Sequence, residues 1–119
     1  MVFMDKLMIF TDGSVNTRSR IGYGAYLSIS KRGLSLDSLR SCVKVRRFEH
    51  TSSTKLELQA LLWALNDVQA SGRKVIIYTD SQNIMGLRGR RDHFEKNDMD
   101  AIFSLVDKAS RNALREDMR

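Results

Sequence analysis

Three carboxylates stand out by what surrounds them. Asp12 ends the apolar run "KLMIFTD" (6–12) and precedes Gly13. Glu57 lies in "TKLELQ", at the start of a helical pattern, and Asp80 ends a second apolar run, "KVIIYTD" (74–80). Each has an ordinary structural explanation. Asp12 before a glycine suits a turn, Glu57 completes a capping box with Thr54, and Asp80 caps a following helix. Together they suggest chemistry. Three acids at one point repel one another, and ionising all of them is costly without a cation. All-oxygen ligation suits Mg²⁺ or Mn²⁺ rather than zinc, whose sites usually contain Cys or His. A carboxylate-bound pair of divalent ions is an apparatus for phosphodiester hydrolysis. A fourth acid, Asp107, lies in "FSLVDKASRNAL" (103–114) beside an apolar stripe. Taken alone it is a surface charge placed to pair with Arg111 one helical turn later.

Whether the first three meet depends on the elements that carry them. "KLMIFTD" reads as a buried strand ended by a turn at Asp12-Gly13. "IGYGAYLSIS" (21–30) reads as a second strand and "SLRSCVKVRRFEH" (38–50) as a third. The breaks between them are short and turn-rich, which predicts an antiparallel meander. "TKLELQALLWALNDVQAS" (54–71) carries apolar residues at 58, 61, 62, 65 and 68, the stripe of an amphipathic helix, with Gly72 at its end. The β-branched run at 74–80 predicts a central strand. A short helix interrupted by Gly86 and Gly89 follows at 81–91, and a last helix at 100–116 has apolar positions 102, 103, 106, 109, 113 and 114. The expected fold is α/β, a single domain over 1–119 with helices layered on a mixed sheet. A crossover through the long helix makes the 74–80 strand parallel to the 6–12 strand. Asp12 and Asp80 then emerge at one sheet edge, where open α/β sheets place ligands.

Bulk properties agree with a soluble domain that meets a polyanion. The 119 residues include 20 Lys and Arg against 14 Asp and Glu, a net charge of +6, and nucleic acid is the leading acidic partner for such a balance. Pro is absent and the seven glycines form no low-complexity stretch, so no linker or disordered tail is expected. The one cysteine, Cys42, excludes an internal disulfide. It points to a reducing, cytoplasmic setting and is expected as a small buried hydrophobe in a strand. "MVFMDKLMIF" is too short and too charged for a signal peptide or a membrane span.

"IFTDGS", "GYGAYL", "TKLELQALLWAL" and "YTDSQN", in that order over about residues 6–91, resemble ribonuclease H of type 1. The resemblance implies a ribonuclease H-like fold, a five-stranded mixed sheet flanked by helices. It implies a metal-dependent endonuclease that hydrolyses the RNA strand of RNA–DNA hybrids with two Mg²⁺ ions, Mn²⁺ being possible. The family's first three metal ligands fall on Asp12, Glu57 and Asp80. Its fourth, an Asp in a D-x-x-A-R setting on the last helix, is similar to "VDKASR", which places Asp107 there with Ser110-Arg111 where Ala-Arg is common. Asn16, Ser53, Thr54 and Gln82 sit in or beside the motifs, and Arg88, Arg90 and Arg91 form a basic cluster after them; all seven are candidate nucleic-acid contacts. His50 carries no signal, and His93 reads as a solvated side chain. The expected protein is a monomer.

One departure leaves alternatives open. The family usually has a helix, a fifth strand and a histidine-bearing loop before the last helix, but only "DHFEKNDMD" (92–100) is present. Nine residues cannot hold a helix and a paired strand. Either the protein is naturally short here, or an internal segment between about 92 and 101 is missing; the retained motifs favour the second. In a rival alignment, 100–116 is the helix before a lost strand and Asp107 is no ligand. The competing functions are a catalytically impaired nucleic-acid-binding module of this fold and a related nuclease with another substrate.

Overall fold

The computed structural model describes residues 6–30, 35–68, 74–79 and 96–119, and among these not the side chains of 6, 74 and 96–100. Four strands, β1 (Lys6–Asn16), β2 (Ile21–Ile29), β3 (Lys44–Phe48) and β4 (Lys74–Thr79), form one sheet in the order β3-β2-β1-β4. β1 pairs antiparallel with β2 from Met8↔Ile29 to Asn16↔Ile21, and β2 pairs antiparallel with β3. β4 runs parallel to β1, from Lys6↔Lys74 to Thr11↔Thr79. The meander and the parallel strand are those the apolar runs predict. The fifth strand implied by the resemblance is not found among the described residues.

Side chains alternate between two layers, as strand geometry requires. Leu7, Ile9 and Tyr26 pack with Ala64, Trp63, Leu65 and Val68 of α2 (Ser53–Asp67) and the residue after it. Met8, Phe10, Ala25, Leu27, Ile29 and Tyr78 pack on the other face with Ile102, Phe103 and Val106 of α3 (Lys96–Asp117). Phe10 stacks on Tyr78 with centroids 4.8 Å apart and meets Phe103 edge-on at 5.2 Å. No helix among the described residues is long and apolar enough to cross a membrane.

Several boundaries differ from the expectation. β1 does not end at Asp12-Gly13: Asp12 pairs with Ala25 and Gly13 with Gly24, inside the strand. The chain reverses later, at 17–20, where Asn16 Oδ1 accepts the backbone N–H groups of Arg18 and Ser19, each at 3.0 Å, and Arg20 adopts φ 61°. The segment 38–50 is not all strand. Ser35 Oγ accepts Ser38 N–H at 3.2 Å and caps a five-residue helix, α1 (Leu36–Arg40), so β3 begins only at Lys44. Cys42 is therefore exposed in the turn between them, not buried in a strand.

The apolar stripe of α2 was also misplaced by the spacing of its leucines. Leu56, Ala60 and Ala64 are its buried residues, whereas Leu58 is 51% and Leu62 65% exposed. The reason lies in the sheet. A Cβ on Gly24 would come 3.0 Å from Ala60 Cβ, and Cβ atoms on Gly13 and Gly22 would come 2.9 and 2.8 Å from Leu56 Cδ2. Glycines on the strands let the helix sit close, with Leu56 over Gly13 and Gly22 and the small Ala60 over Gly24. The positions Gly72 and 81–91 lie outside the described residues.

Candidate active site

Asp12 lies on the α3 side of β1, in alternation with Met8, Phe10 and Ser14. Its carboxylate is half-buried, and Oδ1 accepts the N–H of Gly13 at 2.8 Å. Asp107 reaches this strand through two contacts that bracket it. One turn before it, Phe103 meets Phe10, two residues before Asp12. One turn after it, Ser110 Oγ lies 3.0 Å from the Oγ of Ser14, two residues after Asp12. The helix advances about 10 Å from Phe103 to Ser110 and the strand about 13 Å from Phe10 to Ser14. α3 thus runs in the direction of β1, with Asp107 level with Asp12. Asp107 is also engaged along its own helix: Arg111 Nη2 lies 2.7 Å from its Oδ2, so the i,i+4 pair exists.

Glu57 comes from the opposite layer. α2 is capped by Ser52, whose Oγ accepts Lys55 N–H at 3.2 Å, and its first turn contains no acid. Glu57 is not the capping-box partner of Thr54, because the cap is Ser52. The preceding Leu56 is 1% exposed and presses on the Cα side of Gly13 and Gly22, which fixes the start of α2 beside Asp12. Trp63 leans on Tyr26 and Phe48, toward β2 and β3. Glu57, about 120° around the helix from Trp63, therefore turns away from that side and is half-buried.

β4 brings Thr79 opposite Thr11. Asp80, the next residue, lies outside the described residues, as do Gln82, Arg88, Arg90 and Arg91. Among the described residues no three His, Cys, Asp or Glu side chains are grouped so as to hold a metal ion. The donors fit a hard divalent cation by type: Asp12, Glu57 and Asp107 are carboxylates offered by three different elements, each partly open to solvent.

The candidate nucleic-acid contacts divide. Ser53 and Thr54 are exposed in the first turn of α2. Asn16 is half-buried and its carbonyl oxygen is committed to the hairpin turn, which leaves its amide NH₂ as donor. Beside them the structure adds two further basic residues. Arg18 and Arg20 are exposed on the 17–20 hairpin, and Arg20 O accepts Thr51 N–H at 3.0 Å, which ties that hairpin to the start of α2. Two arginines in the break "GSVNTRSR" were the available signal. His50, at φ 52°, sits in the same junction, and its carbonyl receives Lys55 Nζ at 3.2 Å.

A second polar cluster holds the far end of α3. Arg47 Nε donates to Asp117 Oδ2 at 2.7 Å, the Tyr23 hydroxyl donates to the same oxygen at 2.9 Å, and Arg47 also pairs with Glu49. The bond from Arg47, then that from Tyr23, hold the Asp117 carboxyl below the usual carboxylate range. Burial, then the bond to Asp117, push the Tyr23 phenol up. The protein-family model described as RNase H matches residues 4–116, from the strand of Asp12 through the helix of Asp107.

Proposed function

The chain belongs to the ribonuclease H family, a family of nucleases, and on that premise we propose that it is a divalent-metal-dependent endonuclease hydrolysing the RNA strand of RNA–DNA hybrids. The observation that carries this reading is the register of α3 on β1, which sets Asp107 level with Asp12 between the Phe10–Phe103 and Ser14–Ser110 contacts.

Asp12, Glu57, Asp80 and Asp107 are the residues that would hold two Mg²⁺ ions, or Mn²⁺ in their place. Bound there, the ions supply an activated water and charge for the leaving 3′-oxygen. Four carboxylates balance two divalent ions, so the phosphodiester is not repelled. Glu57 and Asp107 come to β1 from opposite layers, so in this reading each helix must be docked for its carboxylate to take part. Ser53, Thr54 and the Asn16 amide are donors suited to the 2′-hydroxyls and phosphates of a wide minor groove. Gln82, Arg88, Arg90 and Arg91 extend the same surface in this reading, and the net charge of +6 draws the duplex in. The protein is taken as a monomer acting in a reducing, cytoplasmic setting.

The test is Asp12→Asn against a labelled hybrid with Mg²⁺. Cleavage is expected to disappear while the thermal midpoint stays in place; cleavage at the unsubstituted rate overturns the proposal. The Asp107–Arg111 pair at 2.7 Å favours a second reading, in which the domain binds nucleic acid without cutting it. Mg²⁺ titration of the unsubstituted protein separates the two, since binding without product at any Mg²⁺ concentration selects the second.

A further inference from the structure

Ser110 is fully buried, at 0% exposure. Its hydroxyl donates to the carbonyl oxygen of Asp107 at 3.0 Å. A serine hydroxyl has one proton. The proton between Ser14 and Ser110, whose Oγ atoms are 3.0 Å apart, must then come from Ser14. The direction of the chain is fixed: Ser14 donates to Ser110, and Ser110 donates to the backbone of Asp107. It joins the strand of Asp12 to the residue that follows it by 95 positions, across an otherwise apolar contact of Phe10, Phe103, Ile102 and Val106.

We propose that Ser110, with Ser14 as its donor, is a positioning residue that sets the height of Asp107 against Asp12 and so tunes divalent-metal binding. The proposal rests on the metal-dependent reading above. Apolar packing alone lets a helix slide along a strand by fractions of a turn at little cost, because dispersion is not directional. A hydrogen-bond pair between one strand residue and one helix residue removes that freedom. Neither serine touches metal or substrate; both act through Asp107. Supporting interactions of this kind typically change metal affinity by about 10- to 100-fold.

The experiment measures Mg²⁺ binding calorimetrically, without nucleic acid, in the unsubstituted protein, Ser110→Ala, Ser14→Ala, the double variant and Ser14→Thr. Ser110→Ala is expected to fold with a near-unchanged thermal midpoint, since removing a buried hydroxyl while its half-buried partner can meet water costs little. Its Mg²⁺ affinity should fall by about tenfold. Ser14→Ala should lower affinity similarly, the double variant should be no worse than either, and Ser14→Thr, which keeps the donor, should restore it. In hybrid cleavage the same variants should need more Mg²⁺ at unchanged KM for the hybrid. Unsubstituted protein that binds no Mg²⁺ overturns the metal-dependent reading. Mg²⁺ affinity that is measurable but equal in Ser110→Ala, or additive losses in the double variant, overturns the positioning role alone.

Discussion

The two helices meet the sheet by different means. α2 enters on glycines: Leu56 and Ala60 lie against Gly13, Gly22 and Gly24, where the strands offer backbone and no side chain. α3 lies on the large side chains of Phe10, Leu27 and Tyr78 and is located by polar links, Ser14–Ser110 near its middle and Tyr23–Asp117–Arg47 at its end. Steric fit therefore sets Glu57, whereas hydrogen bonds set Asp107. Close apolar fit has one solution and fails abruptly when a methyl is added or removed. Hydrogen-bonded registration is weaker, and at the Asp117 end of α3 it responds to pH.

Three measurements sharpen or break that contrast. Leu56→Ala should have the largest effect, a loss of about 2–5 kcal/mol in urea unfolding, because it opens a cavity where α2 touches two strands. A loss below about 1 kcal/mol would show that the glycine contact does not hold the helix. Gly24→Ala comes next, at about 1–3 kcal/mol, since the new methyl meets Ala60 Cβ at 3.0 Å and Phe48 Cε2 at 3.2 Å. Adding Ala60→Gly should return part of that loss, and a double variant no more stable than Gly24→Ala would argue against close approach as the cause. Tyr23→Phe should have the smallest effect, about 0.5–1.5 kcal/mol near neutral pH. Its pH dependence is the informative part. The folded Asp117 carboxyl titrates below its unfolded value of about 4. The stability it contributes is therefore complete above that value and is lost as pH falls through the lower folded one. Acid unfolding should weaken this end of α3 in the unsubstituted protein. The acid-dependent part should shrink in Tyr23→Phe and shrink further in Arg47→Ala, because Arg47 is the larger cause.

The same contrast explains which parts of the fold were legible in sequence. Long apolar runs specified β1, β2 and β4, and the order of elements specified the meander and the parallel pairing. The stripe of α3 at 102, 103, 106 and 109 was legible because it meets large side chains with large side chains. The face of α2 was not. Counting leucines favoured 58 and 62, while the sheet buries Leu56 and Ala60 against its glycines and Ala64 beside Leu7, Ile9 and Tyr26. Gly13 read as turn punctuation for the same reason. Its role is to admit Leu56 from the facing helix, which no local pattern reveals. The short helix at Leu36–Arg40 was hidden by an apolar alternation that Ser35 interrupts with a cap. At the site, the motif acids were visible one by one. The serines that set the register of α3 were not, because their contact spans 96 residues of sequence.

That span also bears on the order of folding. β1, β2 and α2 lie within the first 67 residues and meet across short loops. α3 packs on nearby Tyr78 of β4, but it reaches β1 and β2 by closing loops of 96 residues to Ser14 and 94 to Tyr23. Closure entropy grows with loop length, and contacts distant in sequence form slowly. The β1–β2 hairpin and α2 should therefore assemble first, with the start of α2 already set against Gly13. α3 should dock afterwards, so Asp107 would be the last of these three carboxylates to arrive.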